Sequence, residues 1–405
     1  MSLPRVAYVT LWFPKPSETF IFREVKTLAG RDLPVKVFTL YAPLGKGLSR
    51  EMRAFPASET LGTASLPKLL GTFLRHCLTR PARTWVFLRD NAFNGFRSLE
   101  GLGENLWAVL CGLHLARRFE AEGIEHIHAP WANGPATAAR VASKLTGIPY
   151  SFAGRAGDIY PAEGALPGKI ADAAFVRVNH GANVAYLRSL APGHAEKIVL
   201  VYNSLSLLPE TPERAPGGDT FRLLAAGRFV PKKGFDDLLA ACALLRDRGL
   251  DFTLTLAGHG RLAGSLKQQA KRLDLTGRVR FPGFLKHDEL SELMRRSDAL
   301  VMPCVIGPNG DRDGIPNVIM EAYAHGLPVI ATDVAGIGEV VADGETGCLV
   351  GQHDPDALAG AILRLAAAPD EAARLAGNGR QRVLSMFDQE INARKLRELF
   401  SAHSK

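Results

Sequence analysis

Residues 310–350, GDRDGIPNVIMEAYAHGLPVIATDVAGIGEVVADGETGCLV, most constrain what this chain can fold into. Asp313 precedes Gly314, a residue that tolerates unusual backbone angles and lets a ligand approach closely. Pro316 suits the first position of a helix. Val318, Ile319, Ala322 and Tyr323 recur at helical spacing, and Gly326 is a natural C-terminal stop. Residues 327–332, LPVIAT, read as a short buried strand. Asp313 is thus expected on a loop at a helix N-terminus, with Glu321 two turns down that helix. A helix start offers unpaired N–H groups and the positive end of a dipole, which suits phosphate. Carboxylates near that end and along the helix can hydrogen-bond sugar hydroxyls on either side of a diphosphate.

This stretch resembles the signature of the retaining glycosyltransferases of family 4. That pattern is an acid, a glycine, a short apolar residue and a helical Glu, leading into GLPVIAT. Gly338-Glu339 and Gly344-x-x-Gly347 continue it here. The resemblance implies an α/β chain with the GT-B fold: two Rossmann-like doubly wound parallel-sheet domains with a cleft between them. Residues 223–235, LLAAGRFVPKKGF, are similar to the family's diphosphate loop, with Arg228 and Lys233 as the binding pair and Lys232 solvated. Residues 17–28, SETFIFREVKTL, resemble the colanic-acid or exopolysaccharide-type branch.

Strand and helix patterns alternate along the whole chain, which by itself argues for parallel sheets. Strands are expected at 6–11, 35–40, 124–128, 148–152, 175–179 and 198–202, with helices among them at 106–121, 136–146 and 181–189. Residues 203–220, rich in Pro, Gly and Thr, read as a linker. A second series starts at 221. The expected domains are 1–205 on the acceptor side, 206–385 for the sugar nucleotide, and a helix over 386–405 crossing back to the first domain.

In open parallel sheets, ligands bind beyond the carboxyl ends of the strands. This rule places Ser17, Glu18 and Thr19 toward the cleft, with Ser17 capping the helix that follows. His128 is a candidate there because it ends a strand. The run AGRAGDIY puts Arg155 where the family carries a histidine over the reacting sugar, and keeps Asp158. An arginine there can stabilise charge developing on a leaving diphosphate. Its alternative role is a structural ion pair with Asp158. The resemblance further implies Glu321 on the nucleotide ribose and Asp313 on the donor-sugar hydroxyls. It implies N–H groups of Gly314 and Ile315 on the diphosphate, Gly258 and Gly260 beside the nucleotide, and Leu285 near the base. Asp311-Arg312-Asp313 is formally a DxD, but two acids are too few to define a metal site. No metal is expected, and no cofactor beyond the sugar nucleotide.

Charge is uneven: residues 1–203 carry 24 Lys and Arg against 15 Asp and Glu, the remainder 25 against 26. The first half therefore suits an anionic partner. Residues 60–89 hold no acid, and leucines recur at helical spacing over 66–78 among Lys68, Arg75, Arg80, Arg83 and Arg89. Such a basic amphipathic helix can dock on an anionic membrane surface or pack on its own sheet, and both readings stay open. The five cysteines include no CxxC pair, which fits a reducing compartment. Residues 6–11 read as a first strand rather than a signal peptide, and no apolar run reaches 18 residues.

The expectation is a retaining, metal-independent enzyme that moves a sugar from a UDP- or GDP-linked donor to a saccharide or lipid-linked acceptor. It would be cytoplasmic, peripheral on the inner face of the membrane, with no nucleic-acid partner. Two alternatives remain, a non-catalytic sugar-nucleotide-binding subunit and a nucleotide-sugar epimerase.

Overall fold

Short apolar strands, each followed by a helix, build two parallel sheets. The structure is a computed structural model that describes residues 3–16, 18–44, 48–93, 98–160, 165–203, 220–307 and 310–405. The chain divides into two units, Met1–Leu205 with Gln389–Lys405, and Ser206–Asp388.

In the first unit the strands are β1 (Val6–Thr10), β2 (Val35–Thr39), β3 (Glu59–Thr60), β4 (His126–Ala129), β5 (Tyr150–Gly154), β6 (Phe175–Val178) and β7 (Ile198–Leu200). They pair in parallel in the order β3-β2-β1-β4-β5-β6-β7, with Val6 opposite both Val35 and His126. Every residue of β1, β4, β5 and β6 is buried, as expected of a sheet covered on both faces. The strand order reverses between β1 and β4, so the loops after those strands frame a crevice.

The helix Leu99–Ala121 starts earlier than 106 because the Ser98 hydroxyl caps it, accepting from the Gly101 N–H at 3.0 Å. The helix Leu66–Thr79 buries only Leu69. Leu66, Leu70, Leu74 and Leu78 are exposed, Leu78 by 84%. The last helix, Gln389–Ala402, packs Leu396 and Phe400 into one core cluster with Val6, Tyr8 and Phe175.

In the second unit the strands are β8 (Phe221–Ala226), β9 (Phe252–Ala257), β10 (Val279–Gly283), β11 (Ala299–Met302), β12 (Val329–Thr332) and β13 (Cys348–Val350). Their order is β10-β9-β8-β11-β12-β13, again all parallel, and the reversal lies between β8 and β11. The alanine-rich region after 355 is two helices, Pro355–Ala367 and Pro369–Met386, because Pro369 cannot continue the first. The signature helix is Asn317–Ala324, with Pro316 as its cap residue rather than its first helical one. Glu321 therefore lies little more than one turn from the helix start, not two.

Candidate active site

At the reversal point of the second sheet, two loops meet. The loop after β8 turns through Pro231–Lys233 into Gly234 and the helix Phe235–Asp247. The loop after β11 runs from Pro303 to the helix at Asn317. Gly234 has φ 59°, and a Cβ there would meet the Pro303 carbonyl oxygen at 1.9 Å. Only glycine permits this contact. The Val305 N–H donates to the Lys232 carbonyl at 3.0 Å and ties the loops together.

This close approach brings four charges into one cluster. Lys233 Nζ lies 2.5 Å from Asp313 Oδ2. Lys232 Nζ lies 3.3 Å from Asp313 Oδ1 and 2.9 Å from Asp311 Oδ1. Burial pushes the Asp313 carboxyl up, but Lys233 and Lys232 outweigh it and hold the group below the usual carboxylate range. For Lys233, burial acts downward and Asp313 more than offsets it, so the ammonium stays charged. The expectation of a solvated Lys232 is corrected: it is buried, because it sits between two carboxylates. Its ammonium already joins Asp311 to Asp313. Among the described residues no group of three or more His, Cys, Asp or Glu gathers as metal ligands.

Arg228 is exposed at the mouth of the loop. The amides of Gly314 and Ile315 donate no hydrogen bond among the described residues, and the helix start adds further open N–H groups. Glu321 is half-buried on the same helix. The two lysines and two aspartates cancel in charge, so Arg228 and the open backbone donors supply the net positive character, the chemistry that holds a diphosphate.

Gly258 and Gly260 lie against the β8 loop. A Cβ on Gly258 would meet the Gly227 carbonyl oxygen at 1.9 Å, and one on Gly260 the Phe229 carbonyl oxygen at 2.6 Å. Both glycines press against the β8 loop and set the path of Arg228. Leu285 is half-buried beside Phe284, whose side chain is 71% exposed and stands 5.7 Å from the His259 ring.

One strand beyond the reversal point of the first sheet, Arg155 is buried at the end of β5. Its Nε donates to the Pro130 carbonyl (3.2 Å) and its Nη1 to Asn203 Oδ1 (2.6 Å). The guanidinium lies 4.2 Å from the Phe20 ring centre and 5.4 Å from that of Trp131. Its Nη2 has no partner among the described residues. Burial lowers the Arg155 pKa to about 10, so it is charged at neutral pH. The proposed ion pair to Asp158 is corrected. The Asp158 carboxylate instead accepts the N–H groups of Ala132 (2.6 Å) and Arg155 (2.7 Å), fixing the loop that carries Trp131. Burial raises the Asp158 pKa to about 7.

Glu18 is buried, accepting from Lys15 Nζ at 2.6 Å and Trp131 Nε1 at 3.2 Å. It occupies the cap position of the helix that Thr19 begins, the role expected of Ser17, which lies outside the described residues. His128 is corrected outright: it is wholly buried against Tyr8 (4.8 Å) and Phe400 (5.3 Å). Because His126 Nδ1 must donate to the His403 carbonyl, the Ser151 hydroxyl donates to His126 and accepts from His128 Nδ1. Sequence reasoning missed Trp131, Phe20 and the buried Glu24–Arg177 pair with Tyr8; aromatic residues flanking a strand end were the only signal available.

Comparison with known proteins bears on the family. Residues 220–368 match the family model described as glycosyl transferases group 1. The amylovoran biosynthesis glycosyltransferase AmsK of Erwinia amylovora is 33% identical over 178 residues, 44% of each chain. Glycogen synthase of Mycobacterium tuberculosis is 35% identical over 189 residues, 47% of this chain and 44% of that one. The chain thus matches less than half the length of these curated relatives. In fold, the crystal structure of Anabaena HepE in complex with UDP superposes with a TM-score of 0.71 at 18% identity, covering 98% of this chain and 100% of that one. The second unit is thus similar in sequence to the group 1 glycosyl transferases over residues 220–368, and the two doubly wound sheets share the fold of the HepE structure.

Proposed function

We propose that this protein is a retaining glycosyltransferase that moves a sugar from a nucleotide-diphosphate sugar to a saccharide or lipid-linked acceptor in exopolysaccharide or lipopolysaccharide assembly. The observation that carries the reading is the cluster of Lys232, Lys233, Asp311 and Asp313 under open amides at the reversal point of the second sheet. UDP in the HepE complex supports a nucleoside diphosphate as the ligand class. In this reading Arg228, Lys233 and the amides of Gly314 and Ile315 hold the diphosphate, Glu321 the ribose, and Asp313 the sugar. The bond between the anomeric carbon and the diphosphate oxygen breaks, the acceptor oxygen bonds to the anomeric carbon on the same face of the sugar, and the acceptor proton passes to the departing diphosphate. The departing charge is met by the cations and amides already in place, so stabilisation is electrostatic. The first unit takes the acceptor near Glu18, Trp131 and Arg155.

Incubation with UDP-, GDP- and ADP-sugars tests the reading. Slow hydrolysis or transfer with one donor is expected; tight binding with no turnover on any donor and acceptor overturns the enzyme assignment in favour of a binding subunit.

The same proposal places the protein on the inner face of an anionic membrane. Its support is the row Leu66, Leu70, Leu74 and Leu78, exposed beside Lys68 and Arg75, with Trp85 exposed on the next helix. No helix among the described residues is long and apolar enough to cross a membrane. Changing Leu74 and Leu78 to Ser should release the protein from phosphatidylglycerol vesicles in sedimentation; equal binding by both proteins would discard membrane docking.

A further inference from the structure

A cavity of about 360 Å³ opens in the first unit between the helices Leu66–Thr79 and Leu99–Ala121 and the end of the helix Gly134–Thr146. Its lining includes Arg75, His76, Arg80, Arg117 and one carboxylate, Glu120. Among the described residues, none of the three guanidinium groups has a hydrogen-bond or ion-pair partner, and Glu120 pairs with none of them. The neighbouring Arg118 behaves differently: it binds Glu59 at 2.8 Å and Glu122 at 2.6 Å. One helix thus carries an arginine paired with two carboxylates and, next to it, an exposed arginine with no protein partner among the described residues, at the cavity. Gathering three like charges around a histidine with Glu120 as the one carboxylate in the lining costs free energy, and an anion in the cavity lowers that cost. The volume falls within the ~300–1,000 Å³ typical of ligand pockets.

We propose that this cavity is a phosphate-binding site, distinct from the diphosphate cradle of the second unit. The ligand chemistry is a phosphate group gripped by Arg75, Arg80 and Arg117, whether it belongs to a soluble phosphate ester or to a lipid headgroup. His76 supplies a second signature. Burial, then Arg80, Arg75 and Arg117, lowers its pKa, so it is neutral in the empty site. A bound phosphate offsets the three arginines and leaves Glu120 as a minor added charge, so binding draws a proton onto His76.

The test is calorimetric titration of the full chain with glycerol 3-phosphate, in two buffers of different ionisation enthalpy, beside sedimentation with phosphatidylglycerol and phosphatidylcholine vesicles. The variants are Arg80→Gln with Arg117→Gln and, as a charge-matched control outside the lining, Lys271→Gln with Arg272→Gln, both exposed on the helix Ala263–Arg272. Saturable binding with proton uptake, weakened at least tenfold by the first pair and not by the second, establishes the site with a soluble ester as ligand. Loss of phosphatidylglycerol binding in the first pair alone, without glycerol 3-phosphate binding, establishes it with a lipid headgroup. If neither ligand distinguishes the two pairs, the arginines act only as general surface charge and the proposal fails.

Discussion

Lys233 and Asp313 stand eighty positions apart in sequence, yet Lys233 Nζ lies 2.5 Å from Asp313 Oδ2. The lysine assigned to the diphosphate and the acid assigned to the sugar are therefore partners before either meets a ligand. The carboxylate keeps the ammonium charged and aimed, which is preorganisation of the kind a diphosphate site requires.

Lys233→Ala should weaken binding of UDP or GDP by about 1.5–3 kcal/mol, the loss of one charge-assisted contact. It should also lower stability, because Asp313 loses its shorter partner and keeps Lys232 at 3.3 Å and the weak Cys304 thiol contact at 4.0 Å. Adding Asp313→Asn should restore melting temperature without restoring affinity. Calorimetry and thermal melts on the same preparations separate the two effects; unchanged affinity removes Lys233 from the site.

Chelation should leave activity intact. Lys232 already bridges Asp311 and Asp313, so a divalent ion would have to displace an ammonium. Turnover measured with and without EDTA is expected to agree within error. A fall reversed by added Mn²⁺ would show that Lys232 yields its place.

Arg155→Ala should destabilise the first unit by about 3 kcal/mol, since Pro130 and Asn203 lose a charged donor in a buried setting. Nucleotide affinity should stay within about twofold while turnover falls further, the pattern of a group that acts beyond ground-state binding. If turnover per folded molecule is unchanged, Arg155 serves the loop alone. The wild-type pH profile should carry no inflection from Arg155, which stays charged until about pH 10.

The fourth prediction concerns pH and stability. Hydrogen bonding to His114, with Lys68 and Arg118 and against the effect of burial, holds the Glu59 carboxyl down to about 2. Because its folded pKa is depressed, its stabilisation is complete above the ordinary Glu value of ~4.3 and is lost as pH falls toward 2. With the side chain 16% exposed, about 2 kcal/mol is expected. Urea unfolding of wild type and Glu59→Gln should differ most at pH 7, with the gap roughly halved by pH 3 and closing only as pH falls toward 2; a constant gap would mean that Glu59 acts through packing.

The alternation of apolar runs with glycine- and proline-marked turns was legible in the chain itself. It carries the parallel sheets, because a strand or helix is set mainly by local periodicity and by which residues can break it. The loop–helix–strand order around Asp313 was readable for the same reason: Gly314, Pro316 and Gly326 act on their own backbone. Even there, the helix start was one residue off, since Pro316 caps rather than leads.

What the tertiary structure alone decided is which charges and apolar faces meet a partner. Lys232 reads like any surface lysine until Asp311, 79 residues later, arrives beside it. His128 ends a strand, as a ligand-facing residue would, but Phe400 from the last helix covers it. Gly258 and Gly260 pack closely on the β8 loop, a contact no local pattern shows. The leucine row on the helix Leu66–Thr79 has one periodicity whether it faces core or solvent, and only the fold leaves it uncovered. Local sequence sets backbone conformation; burial and charge pairing are properties of residues far apart in the chain, and no local pattern encodes them.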